Sequence, residues 1–407
     1  MTSQVKRLPE LLCPAGDMEK LRLALHFGAD AVYLAGREFG MRVGAGNFED
    51  RELIRAVELC HSMGKKAYVT VNNLLRCGEL ERLPAFLEVV GEAGADAVIA
   101  ADLGVMKIVK KRLPEIRLHA STQVGILNHE TADMLFSLGA SRAILARELS
   151  LGEIADIRAR CPRELELEAF VHGAMCVSYS GRCLLSEYLT GRDPNRGECS
   201  GPCRWKYFLM EEKRPGQYFE IFEDGGTHIM NAKDLCMAGH LHELTQAGVS
   251  SLKIEGRAKS SYYAAVTAYA YRCALGDMLK GMPARDLCFE ELSKISHRPY
   301  CTGFYFPDGG ETQHTEDSGY IREWDIIAIV LSRGSGGLCT LLQKNRFSRG
   351  DEAELLSPGR TPEKIIIGEL FDADGLPVAC AAHPHMTVTT RLPKGANELS
   401  ILRRKAE

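Results

Sequence analysis

A short phrase recurs along this chain and sets its architecture. Gly28-Ala-Asp-Ala-Val-Tyr-Leu-Ala-Gly36 returns as Gly94-Ala-Asp-Ala-Val-Ile-Ala-Ala-Asp102. It returns more loosely as Gly139-Ala-Ser-Arg-Ala-Ile-Leu-Ala-Arg147 and as Gly248-Val-Ser-Ser-Leu-Lys-Ile-Glu-Gly256. Each copy reads as a glycine ending a helix, followed by a short buried run rich in β-formers. Amphipathic stretches at residues 18–27, 83–93 and 129–138 precede copies of the phrase. Further strands fit between, so that eight begin near Glu10, Ala31, Lys66, Ala97, Arg117, Arg142, Glu166 and Ser251. Strands alternating with helices pair in parallel, and eight of them predict an α/β fold of the (β/α)8, or TIM-barrel, type.

The interval after the seventh strand is too long for one helix. Residues from about 176 to 247 are therefore expected to form an insertion, and it is rich in cysteine. From about residue 295 the texture changes to short strand-like runs between Gly, Pro and Asp turns, at 300–306, 324–331, 337–343, 353–356, 364–370 and 386–391. This predicts a first domain over 1–294 and a small all-β barrel over 295–407, with a frayed tail from Arg403. Fourteen cysteines without an apolar leader point to a reducing, cytoplasmic setting and not to a disulfide framework. No run of apolar residues is long enough to cross a membrane. A net charge of −4 gives no global attraction to nucleic acid, so an RNA partner needs a local basic patch.

Four thiols crowd residues 176–203, at Cys176, Cys183, Cys199 and Cys203, and Cys236 follows. Thiolates this dense in a polar Gly/Pro loop suit an iron–sulfur cluster or structural zinc, and spacing alone does not choose between them. Arg204-Trp205-Lys206-Tyr207 interleaves cations with aromatics, a pattern that can clamp phosphate and stack a base. In a parallel barrel chemistry gathers at the C-terminal strand ends. Those ends carry Cys13, Asn72, Asn73, Asp102, Ser121, Gln123, Arg147, Glu148, His172, Glu255 and Arg257. His119, Gln123, His172, Glu255 and Arg257 are expected to share one cavity near the cysteine loop, with Glu168 as a further acid–base candidate. Asn72, Arg147, Arg204 and Lys206 are expected to hold substrate, an arginine being suited to a carboxylate. The signatures of zinc proteases, α/β-hydrolases and P-loops are absent.

The stretch 168–186 resembles the signature of peptidase family U32, the collagenase-like proteases. So do Glu10-Leu-Leu-Cys-Pro-Ala-Gly-Asp17, Asn231-Ala-Lys-Asp-Leu-Cys236, Lys253-Ile-Glu-Gly-Arg257 and His297-Arg-Pro-Tyr300. Gly303-Phe-Tyr305 and Asn345-Arg-Phe-Ser-Arg-Gly350 resemble the branch that hydroxylates tRNA. The resemblance implies a [4Fe–4S] cluster on Cys176, Cys183, Cys199 and Cys236, with Cys203 able to replace one of them. It implies 5-hydroxyuridine formation at the tRNA wobble position without O2 as the oxygen source, with prephenate, a small carboxylate metabolite, required. The alternative readings are a metal-linked or thiol peptidase and, from a different class, a non-catalytic accessory subunit that only presents a cluster to a partner.

Overall fold

The computed structural model describes residues 8–41, 46–176, 178–179, 182–205, 209–210, 218–219, 232–307 and 320–406. Seven parallel strands run in order: β1 Glu10–Pro14, β2 Ala31–Leu34, β3 Lys66–Val71, β4 Ala97–Ala100, β5 Arg117–Ala120, β6 Ala140–Ile144 and β7 Glu166–Ala174. An eighth, Ser251–Ile254, pairs in parallel with both β1 and β7 and closes the barrel. The leading glycines of the four repeated phrases have φ of 118°, 70°, 92° and 97°, at Gly28, Gly94, Gly139 and Gly248. That left-handed turn lets each helix end and feed the next strand. Helix starts are capped by side chains: Asp17 accepts from the Lys20 amide, Asn128 from Thr131 and Ser150 from Glu153.

The barrel interior departs from the usual aliphatic layers. Arg142 lies there 2% exposed, with guanidinium contacts to Glu10 at 2.7 Å, Glu166 at 2.6 Å and Glu168 at 2.9 Å. Lys253 reaches the other oxygen of Glu168 at 2.9 Å. Burial alone would raise the Glu168 pKa, but Lys253 and Arg142 outweigh it and hold the carboxyl below its ordinary value. Buried charges survive when paired in this way.

Past β7 the chain adds two short strands beyond the barrel. Asp234–Cys236 pairs antiparallel with β7, and Tyr300–Cys301 pairs in parallel with Asp234–Cys236. The first strand expected of the C-terminal domain thus belongs to the barrel sheet. In the C-terminal domain eight described strands form an antiparallel sheet curled into a half-barrel around Ile327, Val330, Leu341, Val388 and Leu402, and Phe347–Ser348 pairs separately with Cys380–Ala381. The expected fraying of the tail is not found. Ile401–Lys405 is a central strand, paired with Trp324–Arg333 on one side and Glu352–Leu356 on the other. Arg403 is fully buried and bound to Glu291 at 2.6 Å and Glu354 at 2.9 Å. Its charge looked like solvated terminus, but its carboxylate partners lie far away in sequence. No helix among the described residues is long and apolar enough to span a membrane.

Candidate active site at the barrel mouth

A cavity of about 950 Å³ opens at the C-terminal ends of the barrel strands. Its floor is made by inward-facing strand residues, one wall by the cysteine loop, and the adjoining rim by Tyr320, Arg322 and Trp324 from the start of the C-terminal domain. Asn72, Gln123, Arg147, Glu255 and Arg257 all line it, as the strand-end reading expects. Asn72 accepts from the Met41 amide at 3.2 Å. Arg147 lies 4.1 Å from the centre of the Phe170 ring, donates to the Ala174 carbonyl at 3.1 Å and stands 3.5 Å from Glu255. Arg257 is 2% exposed and donates to the Thr70 hydroxyl at 2.9 Å.

Three expected residues lie elsewhere. Glu168 is inside the barrel, beneath the cavity, held by Arg142 and Lys253. His119 is also fully buried in the interior, edge-on to Tyr68 at 4.7 Å, with neither ring nitrogen hydrogen-bonded. Burial, followed by the nearby Arg142, keeps it neutral. His172 has turned away from the mouth. Pairing between β7 and Ser251–Ile254 slips after Phe170↔Lys253, so that His172, and not Val171, faces Ile254. This bulge re-aims the side chain. It lands among Tyr263, Tyr271 and Tyr300, at ring distances of 5.9, 5.5 and 5.3 Å. Burial, reinforced by His297 and Lys259, lowers its pKa to about 3, so it is a neutral core histidine. No histidine lines the cavity among the described residues.

Sequence reasoning passed over Lys253. It is 5% exposed, lines the cavity floor, and sits 4.6 Å from the Tyr33 ring centre. The signal was present: Ser251 and Lys253 alternate on the inward face of one strand, and Glu255 follows just past its end. Lys253, Arg147 and Arg257 bring three cations to the floor, with Glu168 paired to Lys253 and Glu255 to Arg147.

Cys176, Cys183, Cys199 and Cys203 all line the cavity. The Leu185 amide donates to the Cys183 sulfur at 3.3 Å, and the Gly201 amide to that of Cys199 at 3.4 Å. Burial raises the pKa of Cys203, Arg204 opposes this, and Cys176, Cys199 and Cys183 are close enough to raise it further. Cys236 is set apart on the strand opposite His172, and its neighbouring thiol is Cys301. Burial pushes Cys236 up to about 11. Among the described residues no three His, Cys, Asp or Glu side chains converge on a single-ion site. A cubane takes one thiolate per iron, so it asks for soft donors spread around a cavity. The wall carries four thiols, the number and kind of donor that a cubane takes. Lys206 lies outside the described residues. Arg204 lines the rim.

Comparison with known proteins adds to this geometry. The profile of peptidase family U32 matches residues 16–315, and that of the family's C-terminal domain matches 322–403. The chain is 38% identical over 392 residues to tRNA hydroxylation protein P of Escherichia coli K12, covering 86% of each chain. It is 36% identical to 23S rRNA 5-hydroxycytidine C2501 synthase of the same organism, covering 81% of this chain and 48% of that one. It is 42% identical to an uncharacterized protease, MJ0090, of Methanocaldococcus jannaschii, covering 74% of this chain and 73% of the other.

Proposed function

This chain belongs to peptidase family U32, and from that premise we propose that it hydroxylates tRNA, converting a wobble uridine to 5-hydroxyuridine. The observation that carries the reading is the shared cavity: four thiols on one wall, three cations at the floor, and room for a base and a small acid together. The names of the tRNA and rRNA hydroxylation relatives support it. We assign a [4Fe–4S] cluster to Cys176, Cys183, Cys199 and Cys203. When bound, such a cluster supplies one-electron redox chemistry at the wall.

The protein's own residues do the positioning. Lys253, Arg147 and Arg257 suit the carboxylates of a small acid such as prephenate, since a guanidinium binds a carboxylate through two parallel N–H donors. Gln123 and Asn72 offer amide groups to the edges of a base splayed out of its stack. A thiol or serine peptidase needs an imidazole beside its nucleophile. The cavity has none among the described residues, which disfavours the protease reading at this site.

The test is nucleoside mass spectrometry of tRNA from a strain lacking the gene, complemented with wild type or with Cys183→Ala. Loss of 5-hydroxyuridine-type nucleosides in the deletion strain, restored only by wild type, is the expected outcome. Unchanged tRNA hydroxylation, with gelatin or casein cleavage by the purified protein, overturns the reading in favour of a peptidase.

A further inference from the structure

Three cations converge on one phenol at the rim of the cavity. Arg204 of the cysteine loop donates to the Tyr320 hydroxyl at 3.2 Å, and Arg298 donates to the same oxygen at 3.0 Å. Lys259, just past the closing strand, stands 4.0 Å from the Tyr320 ring centre, and the Arg298 guanidinium 4.5 Å from it. Only one described carboxylate, Asp234, faces this group, 3.6 Å from Arg298. Lys259 otherwise meets the Ser296 carbonyl at 3.3 Å, and Arg204 has no carboxylate partner among the described residues. Arg298 is 1% exposed, and its Nε has no hydrogen-bond acceptor. Such a gathering of like charges is unfavourable until an anion arrives.

We propose that Arg204 and Lys259, both lining the cavity and set against Tyr320, form a seat for a backbone phosphate of the RNA strand whose base enters the mouth, with buried Arg298 behind the phenol adding positive charge. This rests on the RNA reading above and names residues for it that the cysteine-loop motif alone does not reach. Two features favour a polymer phosphate over a free small acid. The collar is at the rim, while the floor has its own cations. Trp205, next to Arg204, is 43% exposed and lines the same cavity, so it offers a stacking face to a neighbouring base. Arg322 is not counted, because Asp325 accepts from its Nε at 3.0 Å. The seat joins three segments distant in sequence, so strand binding would fix the C-terminal domain against the barrel mouth.

The experiment is fluorescence anisotropy of the full-length protein with a labelled tRNA anticodon stem-loop across a salt series. Each phosphate contact to a single strand contributes a slope of about 0.7 in log K against log salt, so one contact is worth roughly four-fold between 1 M and 0.15 M salt. Lys259→Gln and Arg204→Gln, both at partly exposed positions, are each expected to weaken binding about four-fold at 0.15 M and to flatten the slope by about 0.7. Tyr320→Leu is expected to weaken it as well, by releasing the two arginines. Salt-sensitive wild-type binding that Lys259→Gln and Arg204→Gln leave unchanged overturns the collar and spares the RNA reading. Absence of salt-sensitive binding by wild type overturns both.

Discussion

Replacing Glu168 by Gln is expected to destabilise the barrel, and the size of the loss follows from the contacts. The carboxylate is fully buried, 2.9 Å from the Arg142 guanidinium and 2.9 Å from Lys253, and it accepts from the Ser251 hydroxyl at 3.1 Å. The amide keeps the shape and removes the charge. Arg142 retains Glu10 and Glu166, whereas Lys253 retains no carboxylate among the described residues. Orphaning a buried charge costs about 3–5 kcal/mol, and Arg142's remaining partners place this case near ~3 kcal/mol. Urea unfolding should then show a midpoint lowered by about 1 M or somewhat less, since m grows with the size of the unit that unfolds. Glu168→Gln combined with Lys253→Met should lose less than the two single losses added, because the orphan is gone. The pH dependence has a definite sign. The folded pKa is depressed, so the stabilisation is fully present above the unfolded glutamate value of about 4.3. It is lost as pH falls through the depressed folded value. The gap between wild type and variant should be constant from pH 7 to about 5 and close below that. A gap under ~1 kcal/mol at pH 7, or one that widens on acidification, refutes the reasoning.

The remaining expectations concern the thiols and the tail. In protein purified without oxygen, Cys203→Ala should lose most of its iron and acid-labile sulfide, while Cys236→Ala should keep more. Full iron in Cys203→Ala with none in Cys236→Ala would return the fourth ligand to Cys236, as the family resemblance implies. Removing residues 401–407 should unfold the C-terminal sheet, because Ile401–Lys405 is central to it, and Arg403→Met should cost up to about 3 kcal/mol by leaving Glu291 and Glu354 with Lys294 as their shared cation. A truncated chain that keeps its near-ultraviolet circular dichroism and wild-type denaturation midpoint would refute this.

The barrel was legible because its repeated phrase has a local physical cause. A positive-φ glycine followed by a buried β-run must be written into each copy, so Gly28, Gly94, Gly139 and Gly248 announce themselves. The tail was not legible for the opposite reason. Ile401-Leu-Arg-Arg-Lys405 carries three cations and sits at the end, where exposed charge is the ordinary expectation. Its strand depends on Glu291 and Glu354, more than 45 positions away by residue number, and a local pattern cannot show a distant carboxylate.

The site divides along the same line. Position just past the C-terminal strand ends placed Asn72, Gln123, Arg147, Glu255 and Arg257 at one cavity. Alternation along β7 would place Glu168, Phe170 and His172 on one inward face, and it fails at the bulge after Phe170. That one-residue slip converts His172 from a candidate base at the mouth into a neutral histidine packed among tyrosines. The consequence is chemical. With His172 turned outward, and His119 buried beneath the floor, the groups able to move a proton at the mouth are, among the described residues, Glu255, Asp325, the lysines, the tyrosines and the wall thiols. None of these is an imidazole, the base that a serine or thiol nucleophile is paired with in a peptidase. The bulge therefore weighs on the choice between hydroxylase and peptidase as much as the cysteines do.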